Sequence, residues 1–280
     1  MQITGNTSLI AHIGYPTHSF RAPMIYNPYF EVAGIDVVVV PMASQAEHFP
    51  GFLRSVFGLD NLCGALITMP HKVSTVALLD QASTAVQIAG SCNAVRRDAQ
   101  GRLVGDMFDG EGFVRGVLRK GVLLASARAL LVGCGGAGSA IAASLAAAGV
   151  AELHLYDSRE VSAQALAQRL RQHYPALQVV TGANDPAGFD LVVNATPMGM
   201  NEGDPFPMDV SRLEPHTFVG EVVMKKEMTA FLSAAAARGC RYQVGSDMLF
   251  EQIPAYLEFF GLPSTTAEHL RAVARLQYAS

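Results

Sequence analysis

Tryptophan is absent from this 280-residue sequence, and its four cysteines are scattered without a CxxC pair. Four widely spaced cysteines fit reduced thiols in a cytosolic protein better than a disulfide framework or a zinc site, so we predict reduced thiols, no metal site and a cytoplasmic location. No segment approaches about 18 consecutive apolar residues, which predicts no membrane span, and no signal peptide is evident at the start. The net charge of −4 offers no basic surface for nucleic acid.

Apolar residues, by contrast, are abundant. Half of the chain is hydrophobic, only 16% is charged, and the length suits two domains. Short β-rich runs alternate with helical stretches, which is typical of an α/β fold. The elements predicted for the first part are strands at 8–14, 36–43 and 63–69, helices at 22–34, 46–59 and 70–83, and a hairpin of 92–97 and 102–108. Pro70 is placed in the first turn of the third helix, a position that proline favours.

A second series of strands and helices begins near Ala127 and matches a complete dinucleotide-binding sheet. Its predicted strands are 129–133, 152–157, 177–182, 190–196, 217–223 and 241–245, joined by helices. Two further helices, 247–261 and 265–279, close the chain, and Thr265 and Glu268 have capping-box spacing for the second. We therefore predict an α/β protein with a Rossmann NAD(P)-binding domain at 110–245.

A glycine-rich turn is the strongest local motif. Gly133, Gly135, Gly136 and Gly138 follow an apolar strand and open the helix 137–148. Such glycines let backbone amides approach a pyrophosphate at a helix N-terminus, although they could instead serve only close packing of helix on strand.

An acidic residue follows this turn at the end of the second strand. Asp157 lies at the distance from Gly133 where the dinucleotide fingerprint expects a carboxylate that binds ribose hydroxyls. A carboxylate there favours NAD, because it repels the additional phosphate of NADP. Arg159 keeps NADP open, since an arginine can accept that phosphate, but we prefer to interpret it as a solvated residue at a helix start.

Lys72 is the candidate for proton transfer. Oxidation of a carbinol by hydride transfer needs a base for the hydroxyl proton. In the first turn of the predicted helix the macrodipole would disfavour the charged amine, which makes the neutral form more accessible. Taken alone, a single lysine is more often a solvated side chain.

Six motifs, in order between about residues 10 and 260, resemble the shikimate/quinate dehydrogenase family. They are Gly14-Tyr-Pro-Thr-His18-Ser19, Thr68-Met-Pro-His71-Lys72, Gly90-Ser-Cys-Asn93-Ala-Val95, Asp109-Gly-Glu-Gly-Phe113, Asn194-Ala-Thr-Pro-Met-Gly-Met200 and Gly245-Ser-Asp-Met-Leu-Phe-Glu-Gln252. The resemblance implies reversible NAD(P)-dependent oxidation of a ring hydroxyl of shikimate, quinate or a related cyclic hydroxy acid. In reverse this is the reduction of 3-dehydroshikimate, a reaction of the shikimate pathway of aromatic amino acid biosynthesis.

The same resemblance implies an α/β substrate-binding domain that comprises 1–109 and 246–280, with the active site in the cleft between the two domains. It also implies a set of site residues. Lys72 and Asp109 would be catalytic. Substrate would be bound by Ser19, Thr68, Asn93 and Gln252, with Arg21 as a new carboxylate partner. Cofactor-binding residues would be Gly133, Gly135, Gly136, Ala137, Gly138, Asp157, Ser158, Arg159, Asn194, Ala195, Thr196, Met198 and Gly245.

Plainer interpretations of some of these residues stay open. Asp109 could cap a helix at 110–120, while Ser19 and Asn93 could serve turns. Gln252 could be an ordinary polar residue on a helix face. His18 and His71 are expected to be structural or positioning residues rather than metal ligands.

The sequence also departs from the family pattern. Ser19 is followed by Phe20-Arg21-Ala22-Pro23 where a second serine is usual, and Met107-Phe108 replaces Asn-Thr. Met224 stands at a usual tyrosine and Glu221 at a usual aspartate. The changes suggest a less polar site, so a paralogue acting on an altered, for example aminated, ring acid is the alternative substrate class. A catalytically silent dinucleotide-binding regulator is the other, although the retained Lys72 and Asp109 argue against it. We expect a monomer or homodimer.

Overall fold

The computed structural model describes residues 2–276, and the chain forms two compact units. Among these residues, the first unit contains 2–86, 90–108 and 253–276, and the second contains Gln87–Ala89 and Asp109–Gln252. The chain therefore returns to the first unit after completing the second. Among residues 2–276, no helix combines the length and the apolar character needed to cross a membrane.

The first unit is built on a mixed sheet, which among the described residues has six strands in the order β2-β1-β3-β5-β6-β4. The strands are β1 (Ser8–Gly14), β2 (Val37–Ala43), β3 (Leu62–Ile67), β4 (Gln81–Ala82), β5 (Ala94–Arg97) and β6 (Leu103–Asp106). Strand β1 runs parallel to β2 and β3, and β5 pairs antiparallel with β3 and with β6. The β5–β6 pair is the predicted hairpin. Most of β1 is buried, which accounts for its nearly continuous apolar sequence.

Within the described residues, five α-helices contribute to this first unit, and the predictions at 22–34 and 46–59 are confirmed in shortened form. They are α1 (Pro23–Ala33), α2 (Phe49–Val56), the start of α3 (Thr84–Ala89), the end of α8 (Gly245–Phe259) and α9 (Ala267–Val273). The cap of α9 is Thr266, whose hydroxyl accepts a hydrogen bond from the His269 N–H at 3.2 Å, so the prediction of Thr265 was wrong by one residue. Part of the predicted helix 265–279 lies outside the described residues.

The α-helix predicted from Pro70 to Ser83 does not form, and this corrects the environment expected for Lys72. Residues 69–73 make turns, followed by a 3₁₀ helix over Ser74–Leu78 and the short strand β4. The Lys72 carbonyl accepts a hydrogen bond from the distant Cys92 N–H at 2.8 Å instead of a helical partner. The Ser74 and Thr75 hydroxyls both donate to the His71 carbonyl, a local bond that competes with helix formation.

The second unit is a parallel sheet in the order β12-β11-β10-β7-β8-β9, which is the Rossmann order. All six predicted strands form: β7 (Arg128–Val132), β8 (Glu152–Tyr156), β9 (Gln178–Thr181), β10 (Leu191–Asn194), β11 (Phe218–Glu221) and β12 (Arg241–Gln243). Its helices are α4 (Asp109–Arg119), α5 (Gly136–Ala147), α6 (Glu160–His173), α7 (Ala230–Ala237) and the first part of α8.

The prediction that helices join every pair of these strands was wrong. Within the described residues, β9 is joined to β10 without a helix, and β10 to β11 with only a 3₁₀ helix over Val210–Arg212. Both connections contain several glycines and prolines, which disfavour helix interiors. The carboxyl ends of all six parallel strands meet at one edge, where the predicted cofactor residues lie.

Candidate functional site

In the first unit, several candidate residues lie around the carboxyl ends of β1 and β3. We call His12, Phe20, Thr68, Lys72 and Asn93 the β1–β3 cluster. The Thr68 N–H donates to the Ile13 carbonyl at 2.9 Å, which sets Thr68 beside Gly14. A Cβ placed on Gly14 would collide with the Thr68 methyl group, the Met69 carbonyl and the Phe20 ring. Only glycine therefore lets these segments approach so closely.

Lys72 is half-buried in a turn rather than exposed on a helix. The macrodipole argument for its neutral form no longer applies, because no α-helix begins here. The bond from Cys92 N–H to the Lys72 carbonyl ties this turn to the segment that carries Asn93. The sequence motifs for the lysine and the asparagine are therefore joined directly through the backbone.

Asn93, directly before β5, links β3 and β6 instead of serving an ordinary turn. Its carbonyl accepts from the Ile67 N–H at 2.8 Å, and its own N–H donates to the Asp106 carbonyl at 3.0 Å. Its side-chain Oδ1 accepts from the Phe108 N–H at 2.9 Å, and the residue is buried. This network fixes the orientation of the Asn93 amide.

The remaining candidates of the first unit lie on the loop before α1 and at the turn of Lys72. Ser19 and His18 are exposed, whereas Arg21 is half-buried. His71 is buried, with its Nε2 2.8 Å from the Ser44 carbonyl and its ring stacked on Phe49. These contacts give His71 the structural or positioning environment that the sequence suggests.

The unusual Met107-Phe108 pair packs inside the first unit. Met107 is only 2% exposed, and its sulfur lies 3.9 Å from the Ser91 hydroxyl. The Phe108 ring makes edge contacts with Tyr256 and Phe259 of α8. The loss of the usual polar residues at these two positions thus serves apolar packing.

Sequence reasoning missed His12, although a histidine inside an apolar strand is a visible signal. Its imidazole is 8% exposed and stacks on the Phe20 ring at a centroid distance of 4.1 Å. Burial, and secondarily the positive charge of Lys72, lower the pKa of His12 to about 4. The ring is therefore neutral at physiological pH.

In the second unit, the glycine-rich turn joins β7 to α5 at the carboxyl edge of the sheet. Gly133 has a positive φ of 102°, and a Cβ on Gly138 would collide with the Gly133 carbonyl. By contrast, a Cβ on Gly135 or Gly136 would meet no other atom of the described chain within 4 Å. Gly133 and Gly138 therefore serve close packing, whereas Gly135 and Gly136 leave the helix start open to an anion such as a pyrophosphate.

Asp157 and its neighbours follow β8 beside this turn. Asp157 Oδ2 accepts a hydrogen bond from the Cys134 N–H at 2.8 Å, and Oδ1 accepts from the Arg159 N–H at 2.8 Å. Ser158 is exposed, and the Arg159 side chain is 79% exposed, with Nε 4.0 Å from Asp157 Oδ1. The carboxylate is held in place, while the guanidinium extends into solvent.

The loop after β10 is organised by its own side chains. Asn194 is fully buried, and its Nδ2 donates to the Met198 carbonyl at 3.0 Å. The Thr196 hydroxyl donates to Asn194 Oδ1 at 2.6 Å and accepts from the Met198 N–H at 3.1 Å. The Ala195 N–H donates to the Val132 carbonyl at 2.8 Å, so the loop is tied to the strand that precedes the glycine turn.

Two more features complete the carboxyl edge of this sheet. Gly245 begins α8, and a Cβ there would collide with the Val223 carbonyl, so α8 starts against the segment after β11. Met224 follows in that segment and is 40% exposed. The predicted cofactor residues of the second unit therefore occupy one edge, on the turns after β7, β8 and β10 and at the start of α8.

Glu221, at the end of β11, is fully buried, and this corrects the expectation that its replacement of aspartate removes a polar contact to substrate. Glu221 Oε1 accepts from the Thr229 hydroxyl at 2.8 Å, and Asn194 also hydrogen-bonds to this carboxyl. Burial raises the pKa of Glu221 to about 7, against these two hydrogen bonds, which lower it. The residue braces the Asn194 loop from inside the second unit.

Asp109 and Gln252 also belong to the second unit. Asp109 is the first residue of α4 and is 7% exposed. Gln252 lies on α8 near Gly112, and its Oε1 is buried without a hydrogen-bond partner among residues 2–276. In the same range, no group of three or more His, Cys, Asp or Glu side chains is arranged to hold a metal ion.

Chemically, the two units carry different parts of a dehydrogenase. The second unit offers an open helix start for a pyrophosphate and an anchored carboxylate for a ribose. The first offers a half-buried amine on the Lys72 turn and a fixed amide on the Asn93 segment, and these two segments are hydrogen-bonded through the backbone.

Two family models match parts of the sequence. The model for the shikimate dehydrogenase substrate binding domain matches residues 12–95. The ThiF family model matches residues 119–183, which covers β7 to β9 of the nucleotide-binding sheet.

Relatives that are similar over nearly the whole chain are shikimate and quinate dehydrogenases. A shikimate dehydrogenase (NADP(+)) of Rubrobacter xylanophilus is 34% identical over 255 residues, covering 90% of this chain and 89% of the relative. The solved structure of a quinate dehydrogenase from Corynebacterium glutamicum in complex with NAD is 31% identical. It has a TM-score of 0.83 and covers 95% of this chain and 98% of that one. A shikimate 5-dehydrogenase from Listeria monocytogenes, in complex with shikimate and NAD, is 24% identical with a TM-score of 0.91, covers 98% of both chains, and supports the fold alone.

Proposed function

The chain belongs to the shikimate dehydrogenase family, and on that premise we propose that it oxidises a ring hydroxyl of shikimate, quinate or a closely related cyclic hydroxy acid. It is an NAD(P)-dependent oxidoreductase of the shikimate dehydrogenase type, acting on a CH–OH group. The observation that carries the substrate proposal is the β1–β3 cluster, in which the Lys72 turn is bonded to the Asn93 segment.

Lys72 is the proposed acid and base of the reaction. A nicotinamide, when bound, would supply the redox chemistry of hydride transfer. Lys72 Nζ accepts the hydroxyl proton during oxidation and returns it during reduction. Asp109 is proposed as the second catalytic residue, because the sequence resemblance assigns that role to its position. Thr68, Asn93, Ser19, Arg21 and Gln252 are proposed to bind the hydroxyl and carboxylate groups of the substrate.

NAD is the proposed cofactor, in contrast to the NADP(+) in the names of the curated relatives. The support is Asp157, which is fixed beside the glycine turn by hydrogen bonds to both of its oxygens. A carboxylate at this position would repel the additional phosphate of NADP. Arg159 is too exposed to offset that repulsion strongly.

A ring acid with an altered substituent is the second candidate substrate. The observation that favours it is Met224, a half-exposed thioether in place of the usual tyrosine. A methionine cannot replace the hydrogen bond of a phenol, so a different group on the ring would suit this position better.

A steady-state screen tests both candidates. Shikimate, quinate, their dehydro forms and an aminated analogue would each be combined with NAD and with NADP, and the reduced-nicotinamide absorbance would be followed. We expect turnover with at least one ring acid, faster with NAD, and its loss in Lys72→Ala. The absence of turnover with every ring acid, despite bound dinucleotide, would contradict the proposed substrate class.

A further inference from the structure

The imidazole of His12 shares a face of β1 with the residues proposed to bind substrate. Successive residues of a strand alternate between its faces, so His12 and Gly14 lie on the same one. On that face Gly14 is covered by the Thr68 methyl group, the Met69 carbonyl and the Phe20 ring. His12 stacks on the same Phe20 ring. The histidine therefore belongs to the surroundings of Thr68 rather than to the opposite face of the sheet.

One ring nitrogen of His12 is left without a partner inside the protein. Nδ1 is buried and makes no hydrogen bond to any of residues 2–276. Buried polar groups are normally paired, and the other buried histidine of this unit, His71, follows that rule through the Ser44 carbonyl. An ordinary core histidine would resemble His71. Nδ1 of His12, in contrast, remains able to form a hydrogen bond with a ligand.

The electrostatic state of His12 indicates what it can bind. Burial, and to a smaller extent the positive charge of Lys72, lower its pKa to about 4. The effect of Lys72 shows that the amine lies close enough to interact electrostatically with the imidazole. A neutral imidazole has one N–H donor and one acceptor nitrogen. A hydroxyl, which can both donate and accept, matches either nitrogen, whereas a carboxylate would match only the protonated one.

From this geometry we propose that His12 is a specificity-determining residue whose Nδ1 hydrogen-bonds a hydroxyl of the ring substrate. The inference rests on the proposed function, because it takes the ring acid as the ligand of the β1–β3 cluster. Phe20 holds the imidazole plane by stacking, so the nitrogen keeps one direction. The bond discriminates among ring acids by the hydroxyl they carry at that position, while proton transfer stays with Lys72.

The test compares His12→Val, His12→Asn and Tyr26→Phe. Valine removes both ring nitrogens, and asparagine restores one donor and one acceptor close to the position of Nδ1. Tyr26→Phe is the matched control, because the Tyr26 hydroxyl is another buried oxygen of the first unit without a partner in the described chain. For each variant, kcat and KM are measured with the best ring acid from the screen, with its deoxy analogues and with the cofactor, together with the midpoint of thermal unfolding.

We expect His12→Val to raise the KM for the ring acid by about 5- to 100-fold, with little change in the KM for the cofactor. His12→Asn should recover most of that loss, and Tyr26→Phe should leave KM unchanged. One deoxy analogue should be insensitive to the substitution, because it lacks the hydroxyl that His12 binds. The unfolding midpoint of His12→Val should equal or exceed that of the native protein, since a buried unpaired group is removed.

Other results overturn the inference. If the native protein turns over a ring acid but His12→Val keeps its KM, or loses affinity equally for all deoxy analogues, the assignment of His12 is wrong while the proposed function stands. If His12→Val does not fold, His12→Asn decides: a KM unrelated to the hydroxyl pattern contradicts the inference. If no ring acid is turned over by the native protein, the proposed function fails and the inference fails with it.

Discussion

Asp157 accepts a hydrogen bond from the Cys134 backbone N–H at 2.8 Å, so the acidic residue after the second strand also holds the glycine-rich turn after the first. Its other oxygen accepts the Arg159 N–H. One carboxylate thus links the predicted pyrophosphate and ribose contacts. A change at Asp157 should accordingly affect both the choice of cofactor and the geometry of the turn.

Asp157→Ser should narrow the preference for NAD over NADP in kcat/KM, because the charge that repels the additional phosphate is removed. The value for NAD should itself fall, since the bond to Cys134 is weakened. Both values come from initial rates with each cofactor. Asp185→Ser is a matched control, because Asp185 also accepts a nearby N–H and pairs with an arginine, but on an exposed loop. A native protein that prefers NADP by about tenfold or more, which is 1.4 kcal/mol, would contradict this and make Arg159 the dominant contact.

Lys72→Ala should lower kcat by about 10²- to 10⁴-fold, the range for a positioned acid or base, and change substrate binding far less. Asp109→Asn should also impair turnover. Lys120→Ala is the control, since Lys120 directly follows α4, pairs with Asp247 at 3.1 Å and is not part of the β1–β3 cluster. The measurement is kcat at saturating substrate, compared with the dissociation constant from a binding titration. A near-native kcat in Lys72→Ala would exclude the role in proton transfer.

Met224→Tyr should improve the use of shikimate. A substrate hydroxyl that faces a thioether loses a hydrogen-bond partner, at a cost of about 1–3 kcal/mol. At 1.4 kcal/mol per tenfold, restoring the phenol should lower the KM for shikimate by roughly 5- to 140-fold. The substitution is made at Met224 and not at Met107, because Met107 is buried whereas Met224 is 40% exposed. The native KM for shikimate and quinate should then lie in the millimolar range or above.

Met228→Tyr is the control for that substitution, because Met228 is 41% exposed on the segment that follows. Initial rates over a range of shikimate concentrations separate the two variants. A native KM of tens of micromolar with rapid turnover would show that the methionine is no obstacle to shikimate.

Glu221→Gln should change how stability depends on pH. The carboxyl has an ordinary pKa of 4.5, and burial raises it to about 7 in the folded protein. The folded state therefore binds more protons than the unfolded state between these values, so the native free energy of unfolding falls as pH rises from about 4.5 to 7. The contribution of this residue to that fall is about 3 kcal/mol.

Glutamine stays neutral, so this part of the pH dependence should disappear, and the variant should gain stability relative to the native protein above pH 7. Denaturant unfolding at several pH values between about 5 and 8 measures the difference, with exposed Glu214→Gln as the control. Parallel curves for the native protein and Glu221→Gln would mean that the buried carboxyl titrates normally.

Local patterns in the sequence were sufficient for much of the fold. The buried strands of both units and the turn from Gly133 to Gly138 were predicted, because apolar runs and glycine spacing reflect interactions between neighbouring residues. The six strands of the Rossmann sheet were predicted as well, although two of the helices expected between them do not form. The six motifs that resemble the family also identified the candidate site residues of each unit.

Tertiary structure decided what distant partners control. The Lys72 turn replaced a predicted helix because the Cys92 N–H, twenty positions along the chain, takes the Lys72 carbonyl. Met107 is buried against Ser91, and Glu221 is buried and hydrogen-bonded to Asn194, because these neighbours come from other strands and loops. The unpaired nitrogen of His12 likewise depends on what surrounds β1 in space. Sequence spacing determines which residue types are available, but burial and hydrogen-bond pairing with distant segments determine their state.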